Sequence, residues 1–114
     1  MESKKIYVLN TLIIPIDFSK HPKATVLMEK ISVEEVKQIL TNNPFVSAVG
    51  HEATAKLLSQ LFGVSIPVNR IAIYLEPGDT GIHFFLKTRL PEGKVLSEAE
   101  LKTLDFWLVK SQVL

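Results

Sequence analysis

The stretch Ser47-Ala48-Val49-Gly50-His51-Glu52-Ala53-Thr54 places a histidine between a glycine and a run with helical spacing. A helix start carries unpaired N–H groups and a partial positive charge, which together favour an anion. Gly50 permits a close backbone approach or a positive φ. A histidine at that point would contact a phosphate and pass a proton. The same pattern is also an ordinary helix start with a polar surface residue. Arg70 and Arg89 form the second candidate pair. They stand on either side of the turn sequence Pro77-Gly78-Asp79-Thr80-Gly81. If the flanking segments pair as an antiparallel hairpin, both arginines reach the same end of the sheet. Two guanidiniums there suit phosphate recognition, or they are simply solvated strand ends. Glu92, in Leu90-Pro91-Glu92-Gly93, would orient a guanidinium or an imidazole, or stands as an isolated turn carboxylate. Asn10 interrupts an apolar run, so if buried it needs a partner, from a ligand or from backbone.

Other polar candidates read as structural. His21, in Phe18-Ser19-Lys20-His21-Pro22-Lys23, is expected at the surface, and His83 near the hairpin tip without a carboxylate partner. Trp107 is expected in the core rather than as a base-stacking platform. The spacing of histidines and carboxylates matches no metal site, and there is no cysteine to supply a thiolate. Neither a Gly-rich phosphate loop nor a dinucleotide fingerprint is present. No cofactor is expected.

The elements that must position these groups follow from periodicity. A β-branched and aromatic run predicts a strand over 6–14, ended by Pro15. A second short strand is expected over 24–30. Ser32-Val33-Glu34-Glu35 is a capping box, predicting a helix to about Leu40 that Asn42-Asn43-Pro44 closes. A short strand over 45–49 leads to a helix over 51–62. Its stripe is Thr54, Leu57, Leu58 and Leu61, and Gly63 stops it. Segments 70–76 and 82–90 are expected to pair as a hairpin. Ser97-Glu98-Ala99-Glu100 is a second capping box, and a final strand is expected over 106–109. Interleaved strands and helices predict an α/β fold, a mixed sheet flanked by helices, as one domain over 1–114.

Composition sets the outer bounds. The chain has 114 residues, 46% of them hydrophobic and 22% charged, with a net charge of +1. That supports one core. It provides no global basic field, so duplex nucleic acid is a poor partner. No apolar run approaches the roughly 20 residues that span a bilayer, and the N-terminal run lacks a cleavage site. A cytoplasmic protein with no membrane partner is expected.

Taken together, the residues resemble a known family. Asn10 after Tyr7-Val8-Leu9, then Ala48-Val49-Gly50-His51-Glu52-Ala53-Thr54, Val68-Asn69-Arg70 and Arg89-Leu90-Pro91-Glu92-Gly93-Lys94-Val95-Leu96, are similar to the viral type III anti-CRISPR ring nucleases and their bacterial relatives. The resemblance implies a two-fold homodimer that binds cyclic tetra-adenylate across its axis. It also implies metal-independent cleavage to linear di-adenylate with a 2′,3′-cyclic phosphate, which switches off type III CRISPR signalling. On this resemblance His51, Arg89 and Glu92 are the catalytic positions, and Asn10, Thr11, Gly50 and Arg70 the ligand-binding ones. At Ile13 the viral members carry a serine, and the segment 12–30, with Pro15 and Pro22, departs from their pattern. Two other functions compete: a cyclic-oligonucleotide sponge or sensor that does not cut, and a small structural or partner-binding protein of a mobile element.

Overall fold

The computed structural model describes residues 5–87 and 105–114. Its elements run β1 (Ile6–Leu9), β2 (Val26–Lys30), α1 (Val33–Asn42), β3 (Val46–Ser47), α2 (Glu52–Phe62), β4 (Thr80–Leu86) and β5 (Phe106–Val113). The strands form one five-stranded sheet in the order β2-β5-β4-β1-β3. β1 lies parallel to both β3 and β4, while β5 is antiparallel to β4 and to β2. The α/β expectation of a mixed sheet flanked by helices holds.

Strand β1 shows why an unbroken apolar run suits the centre of such a sheet. Tyr7, Val8 and Leu9 are all buried, because both faces of a parallel strand are covered. Val8 packs with Ile82, Phe84 and Leu108 beneath the helices, whose inward residues include Val36, Leu40, Leu58 and Phe62. Tyr7 and Leu9 face the other way and join Val113 and Leu75, with Ile14, Ile16 and Ile73 at the margin. One face is thus covered by helices and the other by irregular chain.

The helix boundaries follow their caps. Ser32 Oγ accepts the Glu35 N–H at 3.2 Å, the N-cap half of a capping box, and donates to Glu35 Oε1 at 3.3 Å. α2 ends at Gly63, whose φ of 68° is the left-handed conformation that favours glycine. Ala55, Leu57, Leu58 and Phe62 are its buried residues. The buried stripe therefore takes in Ala55 and Phe62 beside the two expected leucines.

Several expectations are corrected. β1 stops at Leu9, so Asn10 lies just past the strand rather than within it. The hairpin between 70–76 and 82–90 does not form. β4 is already paired with β1 on one edge and β5 on the other, leaving no edge for a further strand. Residues 70–76 instead join no ladder. Leu75 is fully buried and its N–H donates to the Pro15 carbonyl at 2.8 Å, while Ile71 and Tyr74 stay exposed. The turn itself is present. The buried Asp79 carboxylate accepts the Lys5 N–H at 3.1 Å and the Glu76 N–H at 2.9 Å. The final strand runs on to Val113.

Trp107 is not a core residue. Phe84 and Leu108 point to the helices, so their neighbours Phe85 and Trp107 point to the opposite face. Trp107 remains 41% exposed there. The capping box at Ser97 lies outside the described residues. Among the described residues no helix is long and apolar enough to cross a membrane.

Candidate functional site

Topology, rather than a hairpin, assembles the site. β3, β1 and β4 are adjacent and parallel, so their C-terminal ends share one edge of the sheet. Ligands of open α/β sheets bind in the crevice outside such ends. At this edge β1 hands over to Asn10 and Thr11, and β3 leads through Ala48 and Val49 to Gly50 and His51. β4 ends there at Leu86.

Arg70 is brought to the same place by a clamp along β3. Ser47 Oγ donates to the Pro67 carbonyl at 2.6 Å, and Asn69 Nδ2 donates to the Ser47 carbonyl at 2.8 Å. The Asn69 N–H donates to the Val49 carbonyl at 2.7 Å. One residue later, Arg70 Nε donates to the Gly50 carbonyl at 2.7 Å. A Cβ on Gly50 would stand 3.3 Å from Arg70 Cγ, so the glycine makes room for the arginine stem. Nε is committed to backbone, and the terminal guanidinium nitrogens remain for an anion.

His51 is the N-cap residue of α2, with extended backbone at φ −124° and ψ 128°. Its carbonyl accepts the Ala55 N–H at 3.0 Å, but its imidazole makes no capping hydrogen bond and is exposed. The N–H groups of the first turn that precede Ala55 are the usual unpaired donors of a helix start. An exposed imidazole, a fixed guanidinium and these donors are therefore all neighbours of Gly50.

Beside them lies a cavity of about 440 Å³, lined by Asn10, Thr11, Ile13, Thr54, Phe85 and Leu86 among others. Thr54 sits one helical turn beyond His51, so the cavity reaches the start of α2. Asn10 is half-buried in its wall and Thr11 is exposed. Ile13 stands exposed at the same cavity, 67% accessible.

The loop carrying Asn10 is tied down by a histidine that sequence reasoning left without partners. His83 is fully buried in β4. Its Nδ1 lies 2.8 Å from the Thr11 carbonyl oxygen, which only accepts, so Nδ1 carries the proton. Nε2 then accepts from the Ser111 hydroxyl at 2.7 Å. The structural role expected for His83 holds, although it sits in a central strand and not near a hairpin tip.

Burial holds the His83 imidazole below the usual histidine value, and the bond to Thr11 opposes this in part. The consequence for stability has a definite sign. The unfolded chain takes up a proton near the model value of 6.5, whereas the folded chain resists until a lower pH. Stability from this group is present above 6.5 and is lost as pH falls through that value toward the folded one. Denaturant unfolding at a series of pH values is expected to show this decline. His83→Gln, which keeps a donor and an acceptor but does not titrate, is expected to flatten that part of the profile.

Arg89 and Glu92 lie outside the described residues. Among those described, no three His, Asp or Glu side chains cluster as a metal site would require. The sequence signal missed was Ser47 with Asn69, whose partners lie too far along the chain for local pattern to reveal.

The family model described as STIV B116-like matches residues 6–108. The chain belongs to the STIV B116-like family. The match spans β1 to Leu108 in β5, so it takes in Asn10, His51 and Arg70, and in sequence Arg89 and Glu92. The chain is 45% identical over 95 residues to "Uncharacterized protein 26" of Sulfolobus islandicus filamentous virus (isolate Iceland/Hveragerdi), covering 83% of this chain and 79% of that one. It is 43% identical over 110 residues to "Uncharacterized protein ORF117" of Acidianus two-tailed virus, covering 92% of each. A bacterial relative, "Uncharacterized protein YddF" of Bacillus subtilis (strain 168), is 36% identical over 76 residues, 65% of this chain and 70% of that one. The fold is similar to "B116 of Sulfolobus turreted icosahedral virus (STIV)", with a TM-score of 0.80, 25% identity, and coverage of 95% and 98%. The chain thus has both viral and bacterial relatives.

Proposed function

We propose that the chain is a metal-independent phosphodiesterase that binds cyclic tetra-adenylate and opens it to linear di-adenylate with a 2′,3′-cyclic phosphate. Through this reaction it switches off type III CRISPR signalling. One observation carries the reading: Arg70 is fixed on the Gly50 carbonyl next to His51 at a helix start, and Asn10 walls a cavity that reaches the first turn of that helix. The substrate brings its own nucleophile. Two cuts across the ring give two di-adenylates: in each a ribose 2′-hydroxyl loses its proton to solvent water as its oxygen attacks the adjacent phosphorus, the bond to the 5′-oxygen breaks, and His51, acting as general acid, gives that oxygen its proton. The Arg70 guanidinium and the unpaired N–H groups of α2 stabilise charge as it grows on the phosphate. Asn10 and Thr11 hold the sugar or base. On the family resemblance Arg89 adds a second cation and Glu92 orients one of these groups.

Cavity size favours a two-fold pair. About 440 Å³ suits a drug-sized ligand, less than four nucleotides fill. An isologous dimer joins two such sites about one axis, matching the symmetry of the ring.

Incubation with cyclic tetra-adenylate in the presence of a chelator, with binding and products followed together, tests the reading. Linear di-adenylate bearing a cyclic phosphate is the expected product. Tight binding without turnover would make the protein a sponge. Neither binding nor turnover would leave a structural or partner-binding role.

Gly50→Ala tests the fixed arginine. The new Cβ must push the Arg70 stem by a few tenths of an ångström, while Gly50 itself has no positive φ to lose. Affinity is expected to fall about 3–10-fold with the melting temperature nearly unchanged, in line with displacing one charge-assisted contact. Calorimetric titration checks it. An unchanged affinity would separate Arg70 from the ligand.

A further inference from the structure

The helix-free face of the sheet carries aromatic rings that the proposed reaction does not use. Phe85 on β4 and Trp107 on β5 are directly paired across the ladder. Their rings stack with centroids 5.5 Å apart and planes 22° from parallel. Lys87 lies over the Trp107 ring, its Nζ 4.9 Å from the centroid, and is held by Asp105 at 3.4 Å. The order across the surface is therefore cation, indole, phenyl. Phe85 is 38% exposed and Trp107 41%, although rings of this size are usually far more buried. Phe85 is also a wall of the cavity that Asn10, Thr11 and Thr54 line.

We infer that Phe85, backed by Trp107 and Lys87, is a stacking platform for a purine base of the nucleotide whose phosphate sits at His51 and Arg70. The inference rests on the ring-nuclease reading above and adds to it the group that holds a base. Three observations select a nucleobase as the occupant. The cavity extends from Thr54, in the first turn of the helix that His51 opens, to Phe85, so a base on Phe85 lies in a depression that reaches that helix start. Every base has a π-face, and proteins that hold unpaired bases stack them on exposed aromatic rings backed by cations. Asn10, half-buried in the same wall, offers an amide able to read a base edge.

Trp107 is the only tryptophan of the chain, so its emission reports on this surface alone. The test uses full-length His51→Ala protein, which keeps the ligand uncut. Cyclic tetra-adenylate is titrated while calorimetry and Trp107 emission are recorded. A saturable emission change is expected, at the same midpoint as the heat. Phe85→Ala is expected to weaken affinity about tenfold or more, from the usual contribution of one base–aromatic stack. Phe85→Leu, which keeps apolar bulk without a π-face, is expected to lose as much, and Phe85→Tyr to stay within about threefold. Melting curves of these variants show that the fold is retained, since a partly exposed ring is being replaced. Binding heat with either the emission or the Phe85→Ala affinity unmoved overturns the platform and leaves the ring-nuclease reading standing. No binding heat at all overturns both. Emission that shifts on simple dilution of ligand-free protein overturns the platform by assigning the surface to contact between copies.

Discussion

Replacing His51 by alanine is expected to slow single-turnover cleavage of cyclic tetra-adenylate by about 10²–10⁴-fold while binding stays within a few-fold. The split follows from the geometry. The imidazole is exposed at the helix start and takes no part in capping α2, so its loss costs the fold little. Arg70 and its clamp through Asn69 and Ser47 do not depend on it. What disappears is a proton donor needed only as the 5′-oxygen departs, an interaction stronger in the transition state than in the complex. The pH profile gives a second readout. A general acid acts only while protonated, so the wild-type rate is expected to have an alkaline limb that the His51→Ala rate lacks. Loss of affinity with an unchanged saturated rate would instead make His51 a binding group of uniform effect.

The second large effect is expected far from the chemistry. Gly81→Ala should destabilise the protein by about 2–5 kcal/mol, adding overpacking strain to a broken buried hydrogen bond. Gly81 has an ordinary backbone conformation, so φ is not the reason. Space is: a Cβ there would stand 2.6 Å from His83 Nε2 and 2.6 Å from Ser111 Oγ. Either the bond between them breaks or β4 and β5 move apart. Either outcome disturbs the His83 ring, whose other nitrogen pins the Thr11 carbonyl in the loop bearing Asn10. Thermal melts check the size of the loss. The double variant Gly81→Ala with Ser111→Ala is expected to melt above the sum of the single effects, because one colliding atom is gone. Simple additivity would show that the crowding is relieved elsewhere.

The sequence made local features legible and concealed those that depend on distant pairing. The capping box at Ser32, the stop at Gly63 and the helix start at His51 each depend on a few neighbouring residues, and all were found. The alternation Ile71, Ile73, Leu75 reports burial on one side but does not name what does the burying. It reads alike for a hairpin strand and for an extended strap laid over a sheet face. Trp107 was misplaced for a related reason, since apolar character alone does not tell which face of β5 the helices cover. At the site, His51, Asn10, Gly50 and Arg70 were each singled out, but the route bringing Arg70 to His51 was not the expected one. It runs through Asn69 and Ser47 to the edge of β3, contacts of 22 residues' separation that no local pattern carries. Arg89 and Glu92 were drawn from the resemblance and stand outside the described residues.

The placement of β2 has a consequence for how the chain acquires its shape. β2 has one ladder partner, β5, and α1, β3, α2 and β4 all lie between them in the chain. During synthesis, Leu27 and Met28 emerge well before the strand that pairs with them. Contacts of such long separation are slow to form, since loop closure precedes any gain from pairing. The waiting strand is also an open edge for unwanted pairing with another chain. β5 closes both exposures at once, covering the second edge of β4 and accepting β2. Completion of the sheet is therefore a single late event, and damage to β5 would undo two strand pairings together.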